Sequence, residues 1–182
     1  TCLDGGNNLV DWSQIINEHG DAVWRTAYRL LSNEADAWDC YQETFLSVCR
    51  GAATKPPQNW RRFLIFVATR RALDQRRQRT HLRRRASSLE SIGDVAGYAA
   101  SEIDGIVSRE SMEQFRELLT QLPENQAAAF WMWGVEDLNY EEISQLLEID
   151  VNHVGVLLHR ARARLRQLLA DVNACPGDLH DQ

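Results

Sequence analysis

Arginine is concentrated in one stretch of the chain, between positions 60 and 85. This stretch holds ten of the twenty basic residues, all of them arginine, and only one of the 26 acidic residues, Asp74. Its formal charge is therefore +9, whereas the rest of the chain carries −15. A charge run is usually a solvated face, but here one sign dominates and the remaining chain is acidic. The stretch is therefore predicted to bind a polyanion, with nucleic acid as the leading candidate.

The same stretch has the periodicity of a helix with two different faces. Its apolar residues fall near one stripe, as in a helix that packs against a core. They are Trp60, Phe63, Leu64, Val67, Ala68 and Ala72. Arg62, Arg70 and Arg77 are eight and seven residues apart and share another stripe. We expect a helix that buries an aromatic face and holds a polyanion on its arginine face.

The sequence shows no group of residues with the types and spacing needed for catalysis or metal binding. Adjacent acids such as Glu141 and Glu142 diverge on a helix, and no nucleophile with a base and no phosphate-binding loop is recognisable. The four cysteines and five histidines show no metal-ligand spacing, and Cys40 suits a small core position. The sequence therefore predicts neither an enzyme nor a protein with a cofactor or metal.

Length and hydropathy define the broad class of protein. A chain of 182 residues with 44% hydrophobic residues suits one or two domains. It lacks the apolar run of about eighteen residues that a membrane span needs, and its first residues do not resemble a secretory signal. We expect a reduced, cytoplasmic protein with no membrane insertion.

Three helices are predicted before the arginine stretch, over residues 9–18, about 22–31 and about 34–49. Gly20 and Asp21 separate the first two as a C′ residue and an N-cap. The inner face of the third helix consists of Ala37, Tyr41, Thr44, Phe45 and Val48. Its outward face is an acidic patch that consists of Asp36, Asp39, Gln42 and Glu43.

After the arginine stretch, small and acidic residues over 86–110 indicate a linker. Helical patterns then resume, and Asn139 with Glu142 forms a capping box before a short helix. Asp150 is a good N-cap for a long helix over about 151–170, so the pair is typical of a helix-turn-helix. No segment alternates like a strand. The predicted fold is all-α, with helical domains over 9–85 and 111–170.

Three stretches, in order, resemble bacterial RNA polymerase sigma factors of the small extracytoplasmic-function (ECF) type. DAWDCYQETFLSVCR, residues 36–50, resembles the signature of the second region of the family. FLIFVATRRALDQRR, residues 63–77, is similar to the promoter-melting helix that follows it. Residues 122–169, which begin LPENQAAAFWMWG, resemble the fourth region, which reads the upstream promoter element. The order and spacing of the three stretches make the resemblance specific.

The resemblance implies a sigma factor that binds core RNA polymerase, recognises promoter DNA and directs transcription initiation. In the family, the acidic helix docks on the clamp coiled coil of the polymerase, and the matching residues here are Asp39, Gln42, Glu43 and Phe45. The following helix opens the downstream element and captures unstacked bases, which needs apolar pockets and cations. The residues of those types are Trp60, Arg62, Phe63, Arg70, Arg76 and Arg77. An anti-sigma factor is a further candidate partner.

The last helix is expected to place its N-terminal turn in the major groove of the upstream element. The candidate DNA-binding residues are Asn152, His153, Val156, Arg160 and Arg162. Asn152 can pair with adenine, whereas the two arginines are better placed for phosphates or the groove edge.

The chain departs from the family pattern at positions that matter for recognition. Arg70 stands where asparagine is usual, Trp38 where glutamate is common, and Trp60 and Phe63 reverse the usual aromatic order. The last helix has His153, Gly155 and Leu157 where threonine, lysine and arginine are usual. The promoter sequence is therefore not carried over from the family.

Two other functions fit parts of the sequence. One is a helix-turn-helix regulator that binds duplex DNA without polymerase, which a test of core polymerase binding would distinguish. The other is a protein-interaction module whose arginines bind an acidic partner, and salt-sensitive DNA binding would argue against it.

Overall fold

The computed structural model describes residues 10–51, 56–86 and 109–173, which form α-helices and no strand. The chain divides into two compact units between residues 109 and 110. The helices of the first unit are α1 Trp12–Leu31, α2 Glu34–Gly51 and α3 Trp60–Ala86. Those of the second are α4 Arg109–Thr120, which begins at the boundary residue, α5 Glu124–Gly134, α6 Tyr140–Leu147 and α7 Val151–Asn173. The all-α, two-domain prediction is confirmed, while the predicted linker lies outside the described residues except at its ends.

In the first unit, α1, α2 and α3 pack against one another around a common core. The predicted apolar stripe of α3 supplies part of this core, because Leu64, Ala68 and Ala72 are fully buried. Trp60 and Phe63, from the same stripe, pack at the edge of the core and remain partly exposed. The first half of the arginine helix is therefore anchored in the core, which keeps its other faces in a fixed position.

The predicted break at Gly20 is wrong, since α1 runs through this position without interruption. Gly20 is buried, and a Cβ added there would lie 2.9 Å from Tyr41 Oη of α2. A glycine is needed here because the Tyr41 side chain packs directly against the backbone, and not because a helix ends at this position. The helix ends instead at Leu31 and is capped by Ser32, which adopts the left-handed conformation and donates its N–H to the Tyr28 carbonyl.

The prediction that Asp36 faces outward is also wrong, because its side chain is buried between α2 and α3. Its carboxylate forms an ion pair with Arg79 and accepts a 3.4 Å hydrogen bond from Gln75. Both partners come from the second half of α3. Asp36 therefore fastens the arginine helix to α2, and it is not part of the exposed acidic face.

In the second unit, α5 and α6 pack against α7, around buried side chains such as Trp131 and Leu158. Asn139 and Glu142 form the predicted capping box at the start of α6. Glu148 ends α6 in the left-handed conformation, and the Asp150 carboxylate accepts a 2.7 Å hydrogen bond from the Asn152 N–H. These local interactions fix the tight turn between α6 and α7, which confirms the helix-turn-helix.

None of the helices in the described ranges has the length and apolarity needed to cross a membrane.

Candidate functional site

The exposed face of α2 carries three of the four residues predicted to dock on polymerase. Asp39, Gln42 and Glu43 are exposed, and Glu43 lies 3.6 Å from Arg71 of α3. Phe45, the fourth, is only 7% exposed and belongs to the core of the first unit. The structure therefore brings the three polar residues together on one surface and places Phe45 behind them.

Two large apolar side chains on this face were not assigned a role from the sequence. Trp38 and Leu46 are each 46% exposed, although both belong to the helix that carries the acids. They lie four residues before and four residues after Gln42, so the three share one stripe of α2. That spacing was the signal available in the sequence, but an apolar residue at such spacing is more often part of the core.

The arginine stripe of α3 lies on the surface of the first unit. Arg62, Arg70 and Arg77 are all partly exposed, as a phosphate-binding surface requires. The Arg70 guanidinium lies 5.5 Å from the centre of the Phe66 ring, and Arg77 donates to the Asp74 carboxylate at 2.9 Å. Arg70 and Arg77 are thus held in place by neighbours on the same helix, and both side chains can still reach a ligand from the solvent side.

Arg76 was predicted to contact DNA, but the structure places its side chain in the interior. It is buried, and its Nη1 donates a 3.0 Å hydrogen bond to the Leu30 carbonyl at the end of α1. The last carbonyls of a helix lack partners within the helix and carry partial negative charge. Arg76 therefore stabilises the C-terminus of α1 and joins it to α3.

Replacement of Arg76 by alanine should destabilise the first unit by about 1.5 kcal/mol, because a buried carbonyl loses a charged hydrogen-bond donor. Thermal unfolding followed by circular dichroism would measure the change. Arg77→Ala is the matched control, since Arg77 is partly exposed and pairs with an exposed acid. Equal stability of the two variants would contradict the structural role of Arg76.

The two aromatic residues at the start of α3 combine packing with partial exposure. The Trp60 ring contacts Trp12 edge to face, with 5.5 Å between their centroids. Trp60 also lines a cavity of 240 Å³ at the N-terminal part of α1, whose walls include Asp11 and Glu18. Phe63 packs against the core from its edge. Trp60 and Phe63 are therefore fixed at the surface near the first arginines of the helix.

The first turns of α7 present most of the residues predicted to read the upstream element. Asn152, His153, Val156 and Arg160 are all exposed. Leu157 is buried, and Gly155 lies against the Tyr140 ring of α6. The outward surface of this helix therefore begins with polar and apolar side chains, and its first cation is Arg160.

Arg162, the last predicted DNA-binding residue, is engaged within the second unit. Its guanidinium lies 4.3 Å from the ring centre of Trp133, a residue of α5. Such a cation–π contact fixes the arginine and joins α5 to α7. Arg162 is therefore held away from the stripe that carries Asn152, Val156 and Arg160.

Cysteine and metal chemistry is limited in the part of the chain that the structure describes. Cys40 is a core residue, as predicted, and burial raises the pKa of its thiol to about 11. A thiol in that state is a poor nucleophile and metal ligand. Within the described ranges, no three His, Cys, Asp or Glu side chains are grouped to hold a metal ion.

Two protein-family models match the chain in the order that the geometry suggests. Sigma-70 region 2 matches residues 15–82, and sigma-70 region 4 matches residues 112–165. The first match covers the acidic face of α2 and the arginine helix. The second covers the helix-turn-helix. Together they span more than half of the chain.

Curated relatives agree with these matches. The chain is 31% identical over 162 residues to the ECF RNA polymerase sigma factor SigE of Mycolicibacterium smegmatis, which covers 89% of the chain and 63% of SigE. It is 23% identical to the ECF sigma factor SigW of Bacillus subtilis, over 88% of the chain and 90% of SigW. It is 28% identical to the RNA polymerase sigma factor CarQ of Myxococcus xanthus, over 93% of the chain and 94% of CarQ. The chain thus spans less than two thirds of the first relative.

Solved structures share the fold. The sigma factor RpoE of Bartonella quintana, in complex with the anti-sigma factor NepR, matches with a TM-score of 0.56 and 22% identity, over 88% of this chain and 97% of that one. CnrH, in complex with the cytosolic domain of CnrY, matches with a TM-score of 0.54 and 18% identity, over 91% of each chain. With regions 2 and 4 present in order and ECF sigma factors among its relatives, the chain belongs to the sigma-70 family and is of the ECF type.

Proposed function

We propose that this chain is a sigma factor that binds core RNA polymerase, recognises promoter DNA and directs transcription initiation in the cytoplasm. The observation that carries the proposal is the presence of sigma-70 regions 2 and 4 on two separate helical units of one chain. Each unit has an exposed surface suited to its region: an acidic helix face and an arginine stripe in the first, and a helix-turn-helix in the second.

Charge explains why the polymerase is needed. Outside the arginine stretch the chain carries −15, which repels phosphate at long range. The free chain should therefore bind duplex DNA weakly. Docking through the acidic face of α2 would cover part of this negative charge and bring the arginine helix to the promoter.

In promoter opening, α3 acts as a rigid support for a single strand. Its arginines contact the backbone without regard to sequence, while Trp60 and Phe63 offer ring surface to unstacked bases. Arg77 is paired with Asp74 at 2.9 Å. When it binds a phosphate, its guanidinium therefore exchanges the Asp74 carboxylate for the phosphate oxygens. Because α3 is anchored in the core, this exchange does not require the helix to move.

Reconstitution with purified core polymerase tests the proposed function. The chain should co-purify with the core enzyme and direct initiation from promoters identified by sequencing the bound DNA. Initiation from these promoters should not be detected with the chain alone or with the core enzyme alone. Tight, promoter-specific duplex binding by the isolated chain would instead support the alternative, a helix-turn-helix regulator that acts without polymerase.

Arg70→Ala and Arg77→Ala should each reduce open-complex formation by about tenfold while polymerase binding is retained, because each variant loses a backbone contact to the opened strand. Permanganate reactivity of unpaired thymines measures the opening. Each lost phosphate contact should also flatten the dependence of log affinity on log salt by roughly one unit.

Arg25→Ala is the matched control for these two variants, since Arg25 is an exposed arginine on α1, outside the arginine stripe. It should give the wild-type permanganate pattern. Wild-type patterns in all three variants would remove the proposed role of the α3 arginines.

An anti-sigma factor is a candidate regulator of this chain, since RpoE, a structural relative, was solved in complex with one. Its surface on this chain is expected to overlap the faces that polymerase uses, because a competitor for those faces would block initiation.

A further inference from the structure

The exposed face of α2 consists of two parallel ridges of different chemistry. Trp38, Gln42 and Leu46 follow one another at intervals of four residues and form a ridge with an apolar side chain at each end. Asp39 and Glu43 are each one position further along and form an acidic ridge beside it. Both ends of this ridge thus expose large apolar surface next to an acidic ridge, and exposed apolar surface rimmed by polar residues favours an interface.

Trp38 is held in a fixed orientation before any partner binds. Its ring centroid lies 4.4 Å from that of Trp24 in α1 and 5.3 Å from that of Tyr41. Tyr41 is itself seated over Gly20, where no side chain obstructs it. A side chain that is already ordered loses little conformational entropy on binding, and tryptophan is enriched among the residues that dominate interface energetics.

We propose that Trp38 and Leu46 are the apolar anchors of the polymerase-docking face, and that Phe45 only supports them from the core. The inference rests on the proposed function and specifies which side chains make the contact. The partner surface is a helix of core RNA polymerase whose own apolar ridge lies beside a basic ridge. Its apolar ridge would cover Trp38 and Leu46, and its cations would face Asp39 and Glu43.

The ridge spacing supports a helical partner. Trp38 and Leu46 are eight residues apart, which corresponds to about 12 Å along a helix that rises about 1.5 Å per residue. Two anchors about two turns apart on one face can both contact a second helix that packs lengthwise along α2. Glu43 is shared with Arg71 at 3.6 Å, so Asp39 is left as the acid nearest to Trp38 for a partner cation.

Competition with labelled wild-type protein for core polymerase tests the anchors. Trp38→Ala and Leu46→Ala should each weaken binding by about tenfold to a hundredfold, as for truncated interface hot spots. Trp38→Phe should recover most of the affinity, because it keeps an aromatic ring against Trp24. Ile16→Ala is the matched control, since Ile16 is 39% exposed on α1 of the same unit. Its affinity should equal that of the wild type.

The outcomes separate this inference from the proposed function. If the wild type binds core polymerase and the affinities of both alanine variants are within about twofold of the wild-type affinity, Trp38 and Leu46 are not the anchors, and the proposed function stands. If the wild type does not bind core polymerase, the proposed function fails and the anchors fail with it. Circular dichroism checks folding, and if Trp38→Ala unfolds, Leu46→Ala decides, because alanine is the best helix former at an exposed position.

Discussion

The double variant Asp39→Arg/Glu43→Arg should lose at least about a hundredfold in affinity for core RNA polymerase, since like charges placed across an interface cost several kcal/mol. Both residues are exposed on one face of α2, so the exchange should leave helicity unchanged. The lost pair between Glu43 and Arg71 is itself exposed and contributes little to stability. Co-purification with core enzyme and titration of labelled protein would measure the loss.

A control with the same change in net charge separates a local effect from a global one. Glu18→Arg/Asp21→Arg reverses two exposed acids on α1, outside the α2 face. This variant should bind core polymerase nearly as well as the wild type. If Asp39→Arg/Glu43→Arg still co-purifies with the core enzyme, the docking face lies elsewhere on the chain.

The helices that could be predicted from the sequence are those whose signals are local. The apolar stripe of α3, the capping box at Asn139 and the N-cap at Asp150 each depend on residues within a few positions of one another. At these positions no side chain from another helix overrides the local signal. The arginine helix and the helix-turn-helix were therefore predicted correctly.

The errors arose where a partner from another helix decided the outcome. Gly20 has the local signature of a helix end, but its role depends on Tyr41 of α2. Asp36 has the periodicity of an exposed acid, but Arg79 of α3 pairs with it in the interior. Neither partner could be assigned from the sequence alone, because the packing of the three helices fixes which side chains meet.

The same limit applied to the candidate site. Phe45 and Leu46 are neighbours about 100° apart around α2, and the direction of the core decides which of them is exposed. Arg76 and Arg77 are a second such pair, in which one caps α1 and the other lies at the surface. Residue type and family resemblance proposed the helices of the candidate site, but the three-dimensional packing was needed to distinguish exposed from buried side chains at adjacent positions.

In the upstream element, Asn152→Ala should relax the preference for adenine at one position, at a cost of about 1–3 kcal/mol for the cognate promoter. Asn152 is exposed in the first turn of α7, the end that a helix-turn-helix presents to bases. Selection from a randomised promoter library, with wild type and variant holoenzyme in parallel, measures the change. The outcome that contradicts this reading is an unchanged upstream motif.

Arg160→Ala should behave differently, because Arg160 lies two turns further along α7 and is assigned to phosphate. It should weaken binding to all upstream sequences alike and leave the selected motif unchanged, since backbone contacts carry no sequence information. A change of motif in Arg160→Ala would mean that this arginine reads a base.

Val156 lies between these two residues, four positions from each, and its exposed methyl groups suit the methyl group of a thymine. Deoxyuridine lacks only that methyl, so its substitution for thymine at the contacted position should weaken wild-type binding by about 0.8 kcal/mol, roughly fourfold. In Val156→Ala the same substitution should have little effect, because the apolar contact is already lost. If uracil is tolerated equally by both proteins at every upstream thymine, Val156 does not read a methyl group, and Asn152 is left as the residue of this stripe that selects a base.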